Sequence, residues 1–180
     1  YLFVDGKIIR NQYYVYQENT YYFDDAGIMQ TGVFWDQEGE IKLAEPSGIV
    51  FVNPTKDWNV SKDGKSWYFF KEENGRLCPA YSEVITGPSG KKYYFGFDAS
   101  MWLGYFTETF DDGRVIHYMT NDSGEIQETN DWVKYDGDWY FWRDGDILKN
   151  GVYDIWGKKY YFDYDGVMQL GRIDIYENDN

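Results

Sequence analysis

Short runs of alternating aromatic and polar residues, each closed by a glycine, recur along the whole of this chain. "SWYFF", "KKYYF", "DWYFW" and a second "KKYYF" have the composition of short strands on a pleated, half-buried surface. Turn chemistry follows: "DDAG", "EENG", "RDG" and "DYDG" supply Asp, Asn and Gly, which accept positive φ. A second short run then carries a Met, Ile or Leu. Each segment is therefore expected to be a β-hairpin made of the aromatic strand and the run after it. Side chains alternate along a strand, so Trp139 and Phe141 share one face and Tyr140 and Trp142 the other. Helical spacing of apolar residues is sustained nowhere, and the pattern predicts little helix.

The pattern also repeats. "YYFDDAGIMQTGVF" at residues 21–34 is nearly rewritten as "YYFDYDGVMQLGRI" at residues 160–173. Taking the Phe of Tyr-Tyr-Phe as a marker, copies fall at Phe3, Phe23, Leu43, Phe70, Phe95, Met119, Phe141 and Phe162. Eight copies span residues 1–180, so the expected fold class is all-β: one solenoid of stacked β-hairpin repeats of about 20–27 residues. A lone hairpin is marginal in water, so such units persist by covering one another's apolar faces. Each Tyr, Phe or Trp buries about 150–250 Å², which assigns a structural task to most of them. The others are left in grooves between units.

Composition sharpens this reading. The chain has 19 Tyr, 12 Phe and 8 Trp among 180 residues, far too many aromatics for a disordered segment. A net charge of −14 repels phosphate backbones and anionic headgroups, which argues against nucleic acid and membrane surfaces as partners. No apolar run approaches the roughly 18 residues of a spanning helix. The chain opens at Tyr1 without a methionine and reads as a piece of a larger modular protein. Cys78 and His117 are each alone of their kind, so a disulfide, a Cys cluster and a His pair are all excluded. The carboxylates sit mainly in turns, where Asp has an ordinary structural use. No catalytic residue, metal site or cofactor is expected.

The motif "YYFDDAGIMQTGVF" resembles the cell-wall-binding and glucan-binding repeat superfamily of Gram-positive surface proteins. That superfamily includes choline-binding repeats, glucan-binding repeats of glucansucrases and the repetitive carbohydrate-binding domains of large clostridial toxins. The likeness covers nearly all of the chain and is strongest at residues 21–34, 93–106, 139–153 and 160–171. It implies a non-catalytic module, secreted or on the cell surface, that targets a larger bacterial protein to a polysaccharide or cell-surface glycan. Choline-binding repeats carry a Gly-Trp whose indole forms one wall of an aromatic box, and no Gly-Trp occurs here. A glycan is thus the expected ligand. Choline is the alternative, and a rigid spacer or protein–protein adhesion module is the other.

Two longer units, "GIMQTGVFWDQEGEIKLAEPSGIVF" and "WLGYFTETFDDGRVIHYMTNDSGEI", are similar to the long repeats of the toxin domains. By that resemblance the regions after Gly32 and Gly104 hold sites, with Phe34, Trp35, Trp102 and Tyr105 as contacts. Sugars present flat C–H faces with polar rims, which suit aromatic grooves edged by Asp, Asn, Gln and Glu. On that ground Trp58 and Trp132, in similar "DW" positions, join the candidates. So do Trp67 and Trp139, which open their aromatic strands.

Overall fold

A computed structural model describes residues 1–171, and the regular structure of those residues is all strand, without a helix. Two compact units result, Tyr1–Trp102 and the residues from Leu103 onward. The first unit contains β1 (Phe3–Val4), β2 (Lys7–Ile8), β3 (Gln12–Tyr16), β4 (Asn19–Phe23), β5 (Gly32–Trp35) and β6 (Ile41–Ala44). It continues with β7 (Asp57–Val60), β8 (Trp67–Glu73), β9 (Arg76–Pro79), β10 (Glu83–Thr86) and β11 (Lys92–Phe95). The second contains β12 (Tyr105–Thr109), β13 (Val115–Met119), β14 (Asp131–Tyr135), β15 (Asp138–Arg143), β16 (Asp146–Ile147), β17 (Gly151–Ile155) and β18 (Lys158–Phe162). Every sheet is small and antiparallel, joining chain neighbours only: six are simple hairpins, and β7–β8–β9 and β14–β15–β16 have three strands. The all-β hairpin repeat is thus present. Arg172 and Ile173, which end the second motif copy, lie outside the described residues.

The pairing within a unit differs from the expected one. Each aromatic strand pairs along its length with the strand before it, as β4 does with β3 and β18 with β17. The Met-bearing run after it makes only a single bridge: Phe23 with Met29, Phe95 with Met101, Phe162 with Met168. The reason is where its amides go. Gln169 N donates to Tyr161 O of its own hairpin at 2.9 Å, while Met168 N donates to Trp139 O of the preceding hairpin at 2.8 Å. Trp102 N and Met101 N divide in the same way between Tyr94 O and Trp67 O. The Met run is therefore a strap that ties each of these hairpins to its predecessor, which is why it cannot also be a full partner strand.

The turn into the strap explains why "D…G…MQ" is retained in both clear copies. Asp163 Oδ1 accepts the amides of Asp165 and Val167 at 3.0 and 2.9 Å, and its Oδ2 accepts Gln169 Nε2 at 2.7 Å. Asp24 repeats this with Ile28 N at 2.8 Å and Gln30 Nε2 at 2.9 Å. The glycine at the fourth turn position has positive φ, +80° at Gly27 and +84° at Gly166. A Cβ there would also lie 2.5 Å from Ile8 or 2.6 Å from Ile147, respectively. Only glycine satisfies both demands.

The cores lie between hairpins. Leu43 of β6 packs with Tyr68 and Phe70 of β8, and Met119 of β13 with Val133, Trp142 and Ile147 of the next sheet. Phe141 packs with Ile155 and Phe162 of the hairpin that follows. No hairpin has a private core, as expected for units that are marginal alone.

Candidate functional site

Two clefts in the molecule are built alike, one in each unit. Trp58 on β7 pairs across the ladder with Phe69 on β8, and Trp132 on β14 pairs with Phe141 on β15. Around Trp58 stand Trp67 (6.3 Å between ring centroids), Phe69 (5.5 Å), Tyr93 (4.8 Å) and Phe95 (5.8 Å). Around Trp132 stand Trp139 (6.3 Å), Phe141 (5.2 Å), Tyr160 (4.8 Å) and Phe162 (5.9 Å). The rings of Trp67 and Tyr93 meet Trp58 nearly edge-on, at 78° and 83°, and Trp139 and Tyr160 meet Trp132 at 84° and 72°. Phe95 and Phe162 are buried beneath, Trp58 and Trp132 are half-buried, and Trp67 and Trp139 stay 44% and 41% exposed. Each cleft thus has an apolar floor and a ring open to solvent. Lys134 adds an ammonium 6.0 Å from the Trp139 ring.

The four indoles of these clefts are among the sequence candidates, whereas Tyr93 and Tyr160 are not. They come from the next hairpin, and their signal was the "YYF" itself: its first Tyr shares a face with its Phe. Ring equivalence also shifts one marker. Phe69, not Phe70, occupies the place of Phe141, and Phe70 matches Trp142 in pairing with the strand that follows. Before Trp58, Asp57 has φ +75°, the backbone conformation that Gly32 and Gly104 adopt before the corresponding positions.

The remaining candidates are dispersed. Phe34 is a core residue and not a groove residue: it is 4% exposed and stacked on Tyr22 at 5.1 Å and 15°. Trp35, on the opposite face of β5, is 60% exposed and borders a cavity of about 450 Å³. Phe51, Phe70 and Leu77 floor that cavity, with Glu40, Lys42 and Arg76 at its rim. Trp102 is half-buried against Tyr94 and Phe97, its Nε1 donating to Asp98 Oδ1 at 3.2 Å. A side chain at Gly96 would run into that indole, so Trp102 is seated on its own hairpin. Tyr105 is half-buried and stacked on His117 at 5.9 Å.

One group of carboxylates has the spacing for a cation: Asp36, Glu38 and Glu40. Two of the three carboxylates, Asp36 and Glu40, are already engaged. Asp36 accepts Tyr13 Oη at 2.9 Å and the amides of Glu38 and Glu40, and Lys42 Nζ lies 2.7 Å from Glu40. Burial pushes the Asp36 carboxyl up, but these donors outweigh it and hold it below its usual range. The same contact, added to burial, drives the Tyr13 phenol far above the ordinary tyrosine value. The contacts of Asp36 and Glu40 are those of a hydrogen-bonded turn.

Comparison with known proteins places the repeat. Residues 154–168, which cover the turn and aromatic strand of the last hairpin, match the putative cell wall binding repeat. Glucosyltransferase-S of Streptococcus mutans is 27% identical over 159 residues, covering 86% of this chain and 10% of that protein. Among solved structures, CbpJ of Streptococcus pneumoniae is similar with a TM-score of 0.44 at 22% identity, over 87% of this chain and 47% of that one. Choline binding protein F of the same organism, solved with a peptidoglycan analogue, gives 0.45 at 20% identity, over 90% and 53%. The chain therefore spans about half the length, or less, of each of these proteins.

Proposed function

We propose, from the premise that this chain is built of cell-wall-binding repeats, that it is a non-catalytic module. Its task is to hold a larger exported protein on a cell-surface or extracellular glycan. The observation that carries this reading is the recurrence of one ring arrangement in two otherwise divergent segments. Core packing alone would bury those rings; instead Trp67 and Trp139 keep nearly half their surface in water. A pyranose C–H face fits an exposed indole, and the Trp35 cavity offers a second kind of sugar seat. There Lys42 and Arg76 both pair with Glu40, a charged rim that can hydrogen-bond the hydroxyls of a saccharide. Weak single contacts on one array gain apparent affinity when several engage one polymer.

A second reading rests on one geometric fact: in each cleft, rings of two successive hairpins meet, Trp58 and Trp67 with Tyr93 and Trp132 and Trp139 with Tyr160. A quaternary ammonium is attracted to such ring faces, those of Trp most strongly. Choline would then be the ligand, free or as a substituent of a wall polymer. Titrating Trp fluorescence of the folded chain with soluble glucans, wall glycan fragments and choline separates the readings. Saturation by a glycan but not choline, abolished stepwise by Trp67→Ala and Trp139→Ala, supports the first. Saturation by choline alone supports the second. No response to any of them by a well-folded chain overturns both and leaves a rigid spacer.

A further inference from the structure

Tyr105 stands at the register position of Trp58 and Trp132. Trp58 pairs with Phe69, two residues beyond Trp67, and Trp132 pairs with Phe141, two beyond Trp139. Tyr105 pairs with Met119, two beyond His117. The Tyr105–His117 ring pair, 5.9 Å apart, therefore corresponds to the two Trp–Trp pairs. What differs is the occupant. Lys149, from the run after β16, places its Nζ 4.3 Å from the centroid of the Tyr105 ring and donates to Tyr105 Oη at 3.1 Å. Asp146 lies 3.7 Å from the same ammonium. In the corresponding runs after Phe95 and Phe162, the residues at the Lys149 position are Leu103 and Leu170, which carry no charge.

We infer that the Tyr105–His117 pair is a third aromatic site of the same series, filled by the protein's own ammonium, and that Lys149 closes it to outside cations. The inference rests on the second reading above for its ligand, an alkylammonium, but not for its occupancy. Three interactions hold the ammonium there: the ring face, the Tyr105 hydroxyl and the Asp146 carboxylate. Burial opposes its charge, and the hydroxyl and carboxylate more than restore it, keeping Lys149 above the ordinary lysine value. With Lys149 donating to Tyr105 Oη, the phenol hydrogen is free to donate to His117 Nδ1, 2.9 Å away. Thr107 Oγ1 reaches the same nitrogen at 2.9 Å. The site is thus closed by a connected relay and not by chance contact. It would make Lys149 a determinant of how many ligands the chain takes.

Two measurements test this. In the folded chain, the ε-methylene protons of Lys149 should show a ring-current upfield shift in the NMR spectrum that disappears in Tyr105→Leu. An unshifted resonance in the unaltered chain overturns the occupancy whatever the ligand. Calorimetric titration with choline should then count two sites in the unaltered chain and three in Lys149→Met, which removes the ammonium and keeps an unbranched side chain of similar length. A count that stays at two in a folded Lys149→Met chain overturns the inference. If the unaltered chain takes no choline, the second reading fails, and the NMR shift still decides whether Lys149 fills the site.

Discussion

At position 99 an alanine stands where sister turns have glycine, and the backbone is unchanged: φ is +61°, against +80° at Gly27 and +84° at Gly166. An L-residue in that region costs about 1–2 kcal/mol. Here the methyl is fully buried beside Leu43, Tyr68 and Phe70, and burying it returns a similar amount, about 0.8 kcal/mol. Ala99→Gly should therefore change stability by less than about 1 kcal/mol. Gly166→Ala has the strain without the room, because its Cβ would meet Ile147. With overpacking added to the backbone term, it should cost about 2–4 kcal/mol. Urea denaturation of the two variants checks this, and equal losses would refute the account of the turn. The Asp–Gln clamp behaves similarly at this scale. Gln169→Ala removes one short side-chain bond, to Asp163, and a longer one to Val167 O, and Asp163→Ala removes three. Expected losses are about 1 and about 2–3 kcal/mol, with the two non-additive in a double-mutant cycle.

Within a hairpin, neighbouring indoles have different tasks. Trp132 touches four rings and is half-buried, whereas Trp139 contributes one edge and faces water. Trp132→Ala should cost about 3–5 kcal/mol; Trp139→Ala should leave the melting temperature nearly unchanged and remove ligand response from that cleft. The same contrast should hold for Trp58 and Trp67. Much of this element was legible in the residues. Strand, turn and repeat follow from "YYF", "DG" and their spacing, and alternation put Trp139 and Phe141 on one face. What could not be read was partner choice. Nothing local says that Met168 bonds back to Trp139 and not forward along its own hairpin, since that depends on where the preceding sheet lies. For the same reason Tyr160 escaped notice as a wall of the cleft, and Phe34 was misplaced by one face.

Across the molecule, tyrosines are spread over nearly every sheet, and several are held neutral by their surroundings. Burial pushes the Tyr68 phenol up to about 12, and it acts in the same direction on Tyr13, Tyr22, Tyr118 and Tyr140. A raised phenol stabilises the fold fully below the unfolded value of about 10. That contribution is lost as pH climbs from there through the folded value, at up to about 1.4 kcal/mol per pH unit for Tyr68. The chain should unfold cooperatively in alkali, with tyrosinate absorbance rising as strand circular dichroism falls, and Tyr68→Phe should move the midpoint upward. The last step of the absorbance rise should coincide with structure loss; completion of tyrosine titration before unfolding would contradict it. The straps have a mechanical consequence as well. Met101 and Met168 each pin one hairpin to its predecessor by a backbone bond lying between units, so tension on the chain loads those bonds before the ladders inside a hairpin. A pulled array would lengthen in steps, each releasing about 20 residues and about 70 Å of chain. Such a chain yields to tension link by link, and each link can re-form when the tension slackens.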